Sequence, residues 1–362
     1  MSTRQSLSKS TLIQNPTTQH ALTTNARPTW HLGLACGSVI SPLKWSATES
    51  KNGYNEGMDT GLEEHHPRII GTHYPSLLPG QASVLAGGHD HLVVAVNQQT
   101  VFRFTRPGGE IRHGVLNFVR HFSRISPVPV PCPELHFDEP SGTWYEVSPF
   151  VPGVSFYPEL AVNFTRAQLI EVARQMGLFL GALHSFPSER ARTLGVGEMD
   201  PSTFWQYMQE SAYPRYERIV FPHIPAGARA WIQELFAEYV TAIRETPFTT
   251  TVTHSDMWVF HIIVDPHRRV LSGVIDFATR IADPARDFKA FEHYGRGFVD
   301  EVYAAYGMPT DESFEMRRLF YTGFDVVFML ARSIEAGNTQ EASSAAERLM
   351  KYIEAHPRPM AN

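Results

Sequence analysis

Carboxylates and histidines are concentrated in one stretch of the chain. Asp256 follows His254 by two positions, His261 comes five positions later, and Asp276 ends the next apolar run. Carboxylate oxygens and imidazole nitrogens can hold a divalent cation, and a carboxylate can also orient a hydroxyl or accept its proton. The twenty residues between Asp256 and Asp276 leave room for a loop and a β-hairpin that returns the second acid to the first. We therefore predict that Asp256, His261 and Asp276 share one small pocket.

These residues also have structural interpretations. A single His-x-Asp is most often a capped turn or a surface pair. His261 lies in an apolar run, so it is either a metal ligand or a buried strand histidine bonded to the main chain, and both interpretations stay open here. For Asp256, the ordered partners Asp276 and Asp287 favour catalysis.

Apolar periodicity predicts the elements that position this stretch. Alternating runs predict two hairpins, 92–104 and 134–147, and a third at 261–276. Helical spacing predicts helices over 111–122 and 228–244, and a capping box at Thr165 begins another that reaches His184. The expected order is a small β-rich lobe followed by a larger helical lobe.

Composition excludes several classes of protein. The chain has 362 residues, of which 43% are hydrophobic, so wholesale disorder is excluded. A net charge of −6 gives no basic surface for nucleic acid, and no apolar run is long enough to span a membrane. The only cysteines, Cys36 and Cys132, have no CxxC spacing, so neither a disulfide scaffold nor a thiolate zinc site is expected.

Residues 1–68 are polar, and we predict a disordered N-terminal extension over this range. Its first 48 residues contain no acid and are rich in Ser and Thr, a composition that also resembles an organelle transit peptide. We expect a cytoplasmic protein, with a mitochondrial location as the alternative.

The order of Asp256, His261 and Asp276 resembles that of the catalytic Asp, metal ligand and metal Asp of protein kinases. With Asp283-Pro284 and Asp287, the block resembles the aminoglycoside phosphotransferase family, whose pattern is His-Gly-Asp, Asn, Ile-Asp-Phe/Trp, Asp-Pro and Asp. Five further segments are similar to that family, in its order, between about residues 75 and 295: 88–90, 101–104, 128–131, 150–153 and 177–184.

The resemblance implies an α+β fold of two lobes, like that of protein kinases. Residues 69–148 would form the small β-rich N-lobe, which binds nucleotide. Residues 149–362 would form the larger helical C-lobe, which carries the catalytic loop and the substrate-binding helices.

The resemblance also implies roles for the C-lobe residues. Asp256 would orient or deprotonate the attacking hydroxyl, and His254 would support the loop. Asp276 and His261 would bind Mg²⁺. His261 stands where Asn is usual, as in the subgroup that phosphorylates the 2″-hydroxyl of aminoglycosides, some members of which use GTP. Asp287 would accept hydrogen bonds from the catalytic-loop backbone.

In the N-lobe, Arg103 would contact the α and β phosphates, in the place of the family's basic residue. Glu146 and Val147 would offer backbone groups to the purine, and residues 78–91 would form the turn that covers the phosphates. The helix acid that fixes the cation in the family has no clear counterpart, because the register places Arg112 or His113 there, and Glu110 lies just before the helix.

The resemblance predicts transfer of the γ-phosphoryl of ATP or GTP, with Mg²⁺, to a hydroxyl of a small molecule such as an amino sugar or amino alcohol. The alternative is a kinase-like protein that binds nucleotide or metabolite without transferase activity. A third hypothesis is a metal hydrolase that uses His254, Asp256 and His261. The partner expected is a small-molecule acceptor, with no nucleic acid and no membrane; the sequence does not determine the acceptor or the oligomeric state.

Overall fold

The computed structural model describes residues 43–47, 63–87, 91–246 and 248–357. The chain has the predicted α+β fold, with a sheet-based N-lobe and a helical C-lobe. The strands are β1 Leu43–Ala47, β2 Gly80–Gly87, β3 His91–Val96, β4 Thr100–Thr105, β5 Glu134–Asp138, β6 Thr143–Pro149, β7 Val154–Ser155, β8 Thr251–Thr253, β9 Ile262–Asp265, β10 Val270–Val274 and β11 Arg280–Ala282. The helices are α1 His65–His73, α2 His113–Phe122, α3 Pro158–Ala161, α4 Arg166–His184, α5 Ser188–Thr193, α6 Pro201–Tyr207, α7 Tyr213–Ile219, α8 Ala226–Glu245, α9 Arg296–Tyr306, α10 Glu312–Glu335 and α11 Thr339–Ala355.

Six strands form the N-lobe sheet in the order β1-β2-β3-β4-β6-β5. The pairs β3–β4 and β5–β6 confirm the two hairpins predicted from alternation. Phe102 and Phe104 point into the buried core of this lobe, where they pack with Tyr145. Because side chains alternate along a strand, Arg103 points to the opposite face.

Helix α1 is anchored to the N-lobe by apolar burial and by charge. Ile69 and Ile70 are fully buried in the lobe's core. The buried carboxylate of Asp138, at the end of β5, accepts a hydrogen bond from Arg68 at 2.5 Å. Strand β1, which pairs with β2, and the first residues of α1 lie within the range predicted to be disordered. The buried Ile69 and Ile70 hold α1 on the sheet. The rest of the predicted extension lies outside the described residues, as does the family-like segment 88–90.

The C-lobe is built on close contacts between its helices. The capping box predicted at Thr165 is present, since its hydroxyl accepts from the Gln168 N–H and the Gln168 side chain accepts from the Thr165 N–H. Helix α4 then packs against α9 so closely that a Cβ on Gly177 would lie 2.4 Å from the carbonyl oxygen of Val302. A side chain here would push the two helices apart.

Two short sheets in the C-lobe hold the segment that contains Asp256, His261 and Asp276. Strands β9 and β10 form the predicted hairpin, with β7 on its outer edge, and β11 pairs with β8. Gly273 lies against the proline-rich connector, where a Cβ would approach the Pro129 carbonyl oxygen to 2.7 Å. The Val274 N–H donates to that same carbonyl at 3.1 Å. Among the described residues, no helix has the length and apolar character needed to cross a bilayer.

Candidate active site

The hairpin brings the two predicted acids together. The main-chain N–H of Ile275 donates to the carbonyl oxygen of His261 at 3.0 Å, which returns the end of β10 to the loop that follows β8. Asp256, His261 and Asp276 each offer a ligand atom, and these atoms lie within 4.8 Å of one another. The structure therefore brings the three predicted side chains into one cluster.

His261 presents one ring nitrogen to this cluster. Its Nδ1–H donates to the carbonyl oxygen of Asp256 at 2.7 Å, and its Nε2 lies 3.3 Å from Oδ2 of Asp276. With Nδ1–H committed to that carbonyl, Nε2 faces Asp276: protonated, it donates to the carboxylate, and deprotonated, it has a free lone pair. His261 is buried and bonded to the main chain, as the structural interpretation expects, although it ends a short 3₁₀ helix just before β9 and is not in the strand itself. The metal-ligand interpretation stays a prediction.

Charge dominates the ionisation of the pair His261 and Asp276. Burial by itself lowers the pKa of His261, but the hydrogen bond and charge of Asp276, with the charge of Asp256, outweigh it and raise that pKa. Desolvation opposes ionisation of Asp276, yet the hydrogen bond and charge of His261 and the charge of Arg103 hold its pKa far below the usual range. Asp276 is therefore a carboxylate.

His254 supports the loop and is not part of the cluster. Its Nε2 donates to the carbonyl oxygen of Ile275 at 3.0 Å, and its Nδ1 accepts from the N–H of Asp256 at 3.3 Å. The ring is completely buried, and this burial lowers its pKa. Because both nitrogens are bonded to the main chain, His254 has no lone pair for a metal. This geometry disfavours the metal-hydrolase hypothesis.

Asp287 holds the main chain of the catalytic loop. Its two carboxylate oxygens accept from the N–H groups of His254 at 2.6 Å and Ser255 at 2.9 Å. Ser255 has φ of +67°, in the left-handed region, and it stands where the family pattern has glycine. The two hydrogen bonds to Asp287 thus stabilise a backbone conformation that a serine would otherwise avoid.

Behind Asp287, His184 continues the network. Nε2 of His184 donates to the Asp287 carboxylate at 3.1 Å, and Nδ1 lies 2.6 Å from the Tyr306 hydroxyl. Burial would raise the pKa of Asp287, but the hydrogen bond and charge of His184 outweigh it and lower that pKa. The sequence placed His184 at the end of a family-like segment without giving it a function.

Trp258 contacts the Asp256 carboxylate, and sequence reasoning missed this residue. Its indole N–H donates to Oδ1 of Asp256 at 2.9 Å. Lys289 is buried, lies 4.2 Å from the centre of a Trp258 ring and forms an ion pair with Asp325 at 2.5 Å. The only available signal was the position of Trp258, two residues after Asp256. Spacing alone does not reveal the hydrogen bond between the two side chains.

The N-lobe contributes a cation to the same cleft. Nη1 of Arg103 lies 3.4 Å from Oδ1 of Asp276 and 3.9 Å from Oε2 of Glu146. Glu146 lies inside β6, opposite Arg103 on one side and Leu135 on the other. Val147 is flanked in the same way, by Phe102 and Glu134. Neighbouring strands on both sides disfavour the predicted backbone contacts of Glu146 and Val147 to a purine, and these roles stay predictions.

A small β lobe, a helical lobe and a cleft that joins a cation to two carboxylates define a kinase-like phosphotransferase. The model of the phosphotransferase enzyme family matches residues 81–319. The chain belongs to this family, as its sequence motifs predicted, and is a small-molecule kinase. A comparison with curated proteins gives no match.

Solved structures show the same fold. The GDP and kanamycin complex of APH(2″)-IIIa is 22% identical, with a TM-score of 0.69 over 81% of this chain and 100% of that one. The streptomycin and ATP complex of APH(2″)-IIa is 14% identical, with a TM-score of 0.57 over 80% and 96%. Macrolide 2′-phosphotransferase type I is 18% identical, with a TM-score of 0.53 over 78% and 94%.

Proposed function

We propose that this chain transfers the γ-phosphoryl group of ATP or GTP to a hydroxyl of a small molecule, with Asp256 as the base. The observation that carries the proposal is the convergence of Asp256, His261 and Asp276, with ligand atoms within 4.8 Å, opposite the Arg103 guanidinium. A loose phosphoryl-transfer transition state needs alignment and charge neutralisation, and this cleft contains groups for both.

The carboxylate of Asp256 would orient the attacking hydroxyl and accept its proton. Three contacts hold Asp256 in place, one on its carboxylate and two on its main chain. Trp258 donates to Oδ1, the Asp256 N–H donates to His254, and the Asp256 carbonyl accepts from His261. A base fixed in this way loses little entropy when the acceptor binds.

Asp276 and His261 would hold Mg²⁺. Magnesium prefers oxygen ligands and commonly takes one or two carboxylates together with water and phosphate oxygens. The Asp276 carboxylate fits this requirement. Nε2 of His261, 3.3 Å away on the same side of the cleft, would be the weaker nitrogen ligand and would bind only after losing its proton. When bound, the cation would neutralise charge on the phosphates.

The nucleotide would lie between the lobes. The N-lobe supplies Arg103 for the phosphates, and the main chain that follows the β5–β6 pairing is available to a purine. Strand β6 loses its β5 neighbour after Val147, so the free edge begins at Ser148. The related structures contain GDP or ATP, which supports a nucleotide co-substrate of either kind.

The acceptor would bind on the C-lobe side of Asp256. Acids there could receive an amino sugar or an amino alcohol, but cations of the chain already pair with several of them. Asp325 pairs with Lys289, and Glu292 with Arg318, both at 2.5 Å. This compensation favours an acceptor with few positive charges over a polycation.

A kinase-like binding protein without transferase activity is the alternative. The departures that favour it are His261 in place of Asn and the missing helix acid. Thermal shift with Mg-ATP and Mg-GTP, followed by a phosphorylation screen with aminoglycosides, amino alcohols, sugars and macrolides, separates the two hypotheses. Stabilisation by nucleotide with no turnover of any acceptor would support the binding protein, and turnover would support the kinase.

A further inference from the structure

Arg103 and Glu146 are direct neighbours across the N-lobe sheet. Strands β4 and β6 pair in a register that places Arg103 opposite Glu146. Directly opposite residues of an antiparallel pair share one face of the sheet. Phe102 and Tyr145, one position away on each strand, are buried in the core on the other face. Arg103 and Glu146 therefore both point to the cleft.

The two side chains form an ion pair at the back of the cleft. Nη1 of Arg103 lies 3.9 Å from Oε2 of Glu146, and the side chains are only 24% and 13% exposed. At this distance the two charges attract without a hydrogen bond, and partial burial reduces the screening of that attraction by solvent. The second contact of Arg103, to Asp276 at 3.4 Å, places the guanidinium where the phosphates would lie.

Helix α2 supplies no carboxylate for Arg103. The helix has the sequence His-Gly-Val-Leu-Asn-Phe-Val-Arg-His-Phe, which contains no acid. Glu110 precedes the helix, is exposed, and makes no ion pair with any residue that the structure describes. The residue immediately before α2 is Arg112, which is itself a cation.

Arg112, at the start of α2, favours the ionised form of Glu146. Burial raises the pKa of the Glu146 carboxyl, and the charges of Arg103 and Arg112 oppose this rise without cancelling it. In the family, the strand cation pairs with an acid on the helix. In this chain, the acid that pairs with the strand cation lies on the neighbouring strand.

We infer that Glu146 is the positioning residue for Arg103, so that strand register, and not helix α2, orders the phosphate-binding cation. The inference rests on the proposed function. It has a mechanistic consequence, because the cation is fixed within one sheet and its position does not depend on how α2 lies against the lobe. It also gives Glu146 a role through its side chain that is different from a contact with the purine.

The test is a double-mutant cycle on nucleotide affinity. Calorimetry gives Kd for ATP and GTP with Mg²⁺, and for adenosine and guanosine, in the wild type, Glu146→Gln, Arg103→Gln and the double variant. We expect Glu146→Gln to weaken triphosphate binding about tenfold, because Arg103 then loses one of the two carboxylate contacts that order it before the ligand binds. Nucleoside binding should stay unchanged. In the Arg103→Gln background, Glu146→Gln should have no further effect on triphosphate affinity.

Two further variants complete the experiment. Glu146→Asp keeps the charge and should lose less affinity than Glu146→Gln. Glu134→Gln removes an exposed acid from the adjacent strand and serves as the matched control, with no expected change.

The inference is overturned if Glu146→Gln leaves triphosphate affinity unchanged or tightens it, or if its effect persists without Arg103. It is also overturned if nucleoside affinity falls by the same factor, since Glu146 would then belong to the purine site. Failure of the wild type to bind either triphosphate would remove the proposed function itself. Weakening by Arg103→Gln alone would leave the proposed function intact and remove only the role of Glu146.

Discussion

Nη1 of Arg103 and Oδ1 of Asp276 lie 3.4 Å apart, although one belongs to the N-lobe sheet and the other follows a hairpin of the C-lobe. This ion pair joins the two lobes at the place where the proposed phosphates and magnesium would meet. The same contact explains part of the low pKa of Asp276, because the guanidinium charge favours the carboxylate. The carboxylate is thus ready for a cation at neutral pH.

Asp256→Asn should lower kcat by about 10³-fold, because an amide cannot accept the proton of the attacking hydroxyl. Nucleotide affinity should change little, since Asp256 is proposed to contact the acceptor. Steady-state kinetics with an acceptor found in the phosphorylation screen, together with calorimetry for the nucleotide, measure both quantities. Asp265→Asn is the control, because Asp265 caps the β9–β10 turn and an amide can do the same. Full turnover by Asp256→Asn would disprove the assignment of the base.

Trp258→Phe should lower kcat by roughly tenfold, because the Asp256 carboxylate loses the indole hydrogen bond that orients it. A phenyl ring can keep a cation–π contact with Lys289, so the free energy of unfolding should change by only about 1 kcal/mol. Trp144→Phe, in the N-lobe hairpin, is the matched control and should leave kcat unchanged. If both variants have wild-type kcat, Trp258 does not position the base.

Asp287→Asn should destabilise the folded chain by about 2–4 kcal/mol. An amide can accept only with its oxygen, so its NH₂ group would face either a loop N–H or the His184 ring. Urea denaturation measures the free energy of unfolding. Asp300→Asn removes an exposed carboxylate that pairs with Arg296 and should change that free energy by less than about 0.5 kcal/mol. Equal effects of the two substitutions would contradict the role given to Asp287.

The N-lobe should lose stability between about pH 6.5 and pH 4. Burial against Phe104, with the charges of His65 and Arg106, lowers the pKa of His66 to about 4. The ordinary value for an unfolded chain is about 6.5. Between these values the unfolded chain binds a proton that the folded chain does not, so the free energy of unfolding falls as pH falls, by about 1–3 kcal/mol.

The measurement is the midpoint of thermal unfolding across this pH range. His66→Gln should flatten the dependence, because glutamine does not titrate. His267→Gln changes an exposed histidine in the β9–β10 turn and should keep the wild-type dependence. An unchanged slope in His66→Gln would assign the pH dependence to other groups.

Local patterns predicted most of the elements around the site. Alternation gave the three hairpins, and the Thr165 capping box and apolar stripe gave α4, because these signals depend on neighbours within a few residues. The order of Asp256, His261 and Asp276 gave the cluster, since a single hairpin between them leaves few ways to fold. The start of α1 was missed, because its burial depends on Ile69 and Ile70 meeting a sheet formed by later residues.

The amino-acid sequence by itself determined the family, the two-lobed fold and the three residues of the cluster. Only the tertiary structure decided which side chains act on them: the Trp258 indole on Asp256, Asp287 with His184 on the loop, and Glu146 on Arg103. The physical reason is that residue type and spacing fix local geometry, whereas a hydrogen bond or ion pair between distant residues depends on strand register and on how elements pack. A sequence pattern by itself contains neither the strand register nor the packing of the elements.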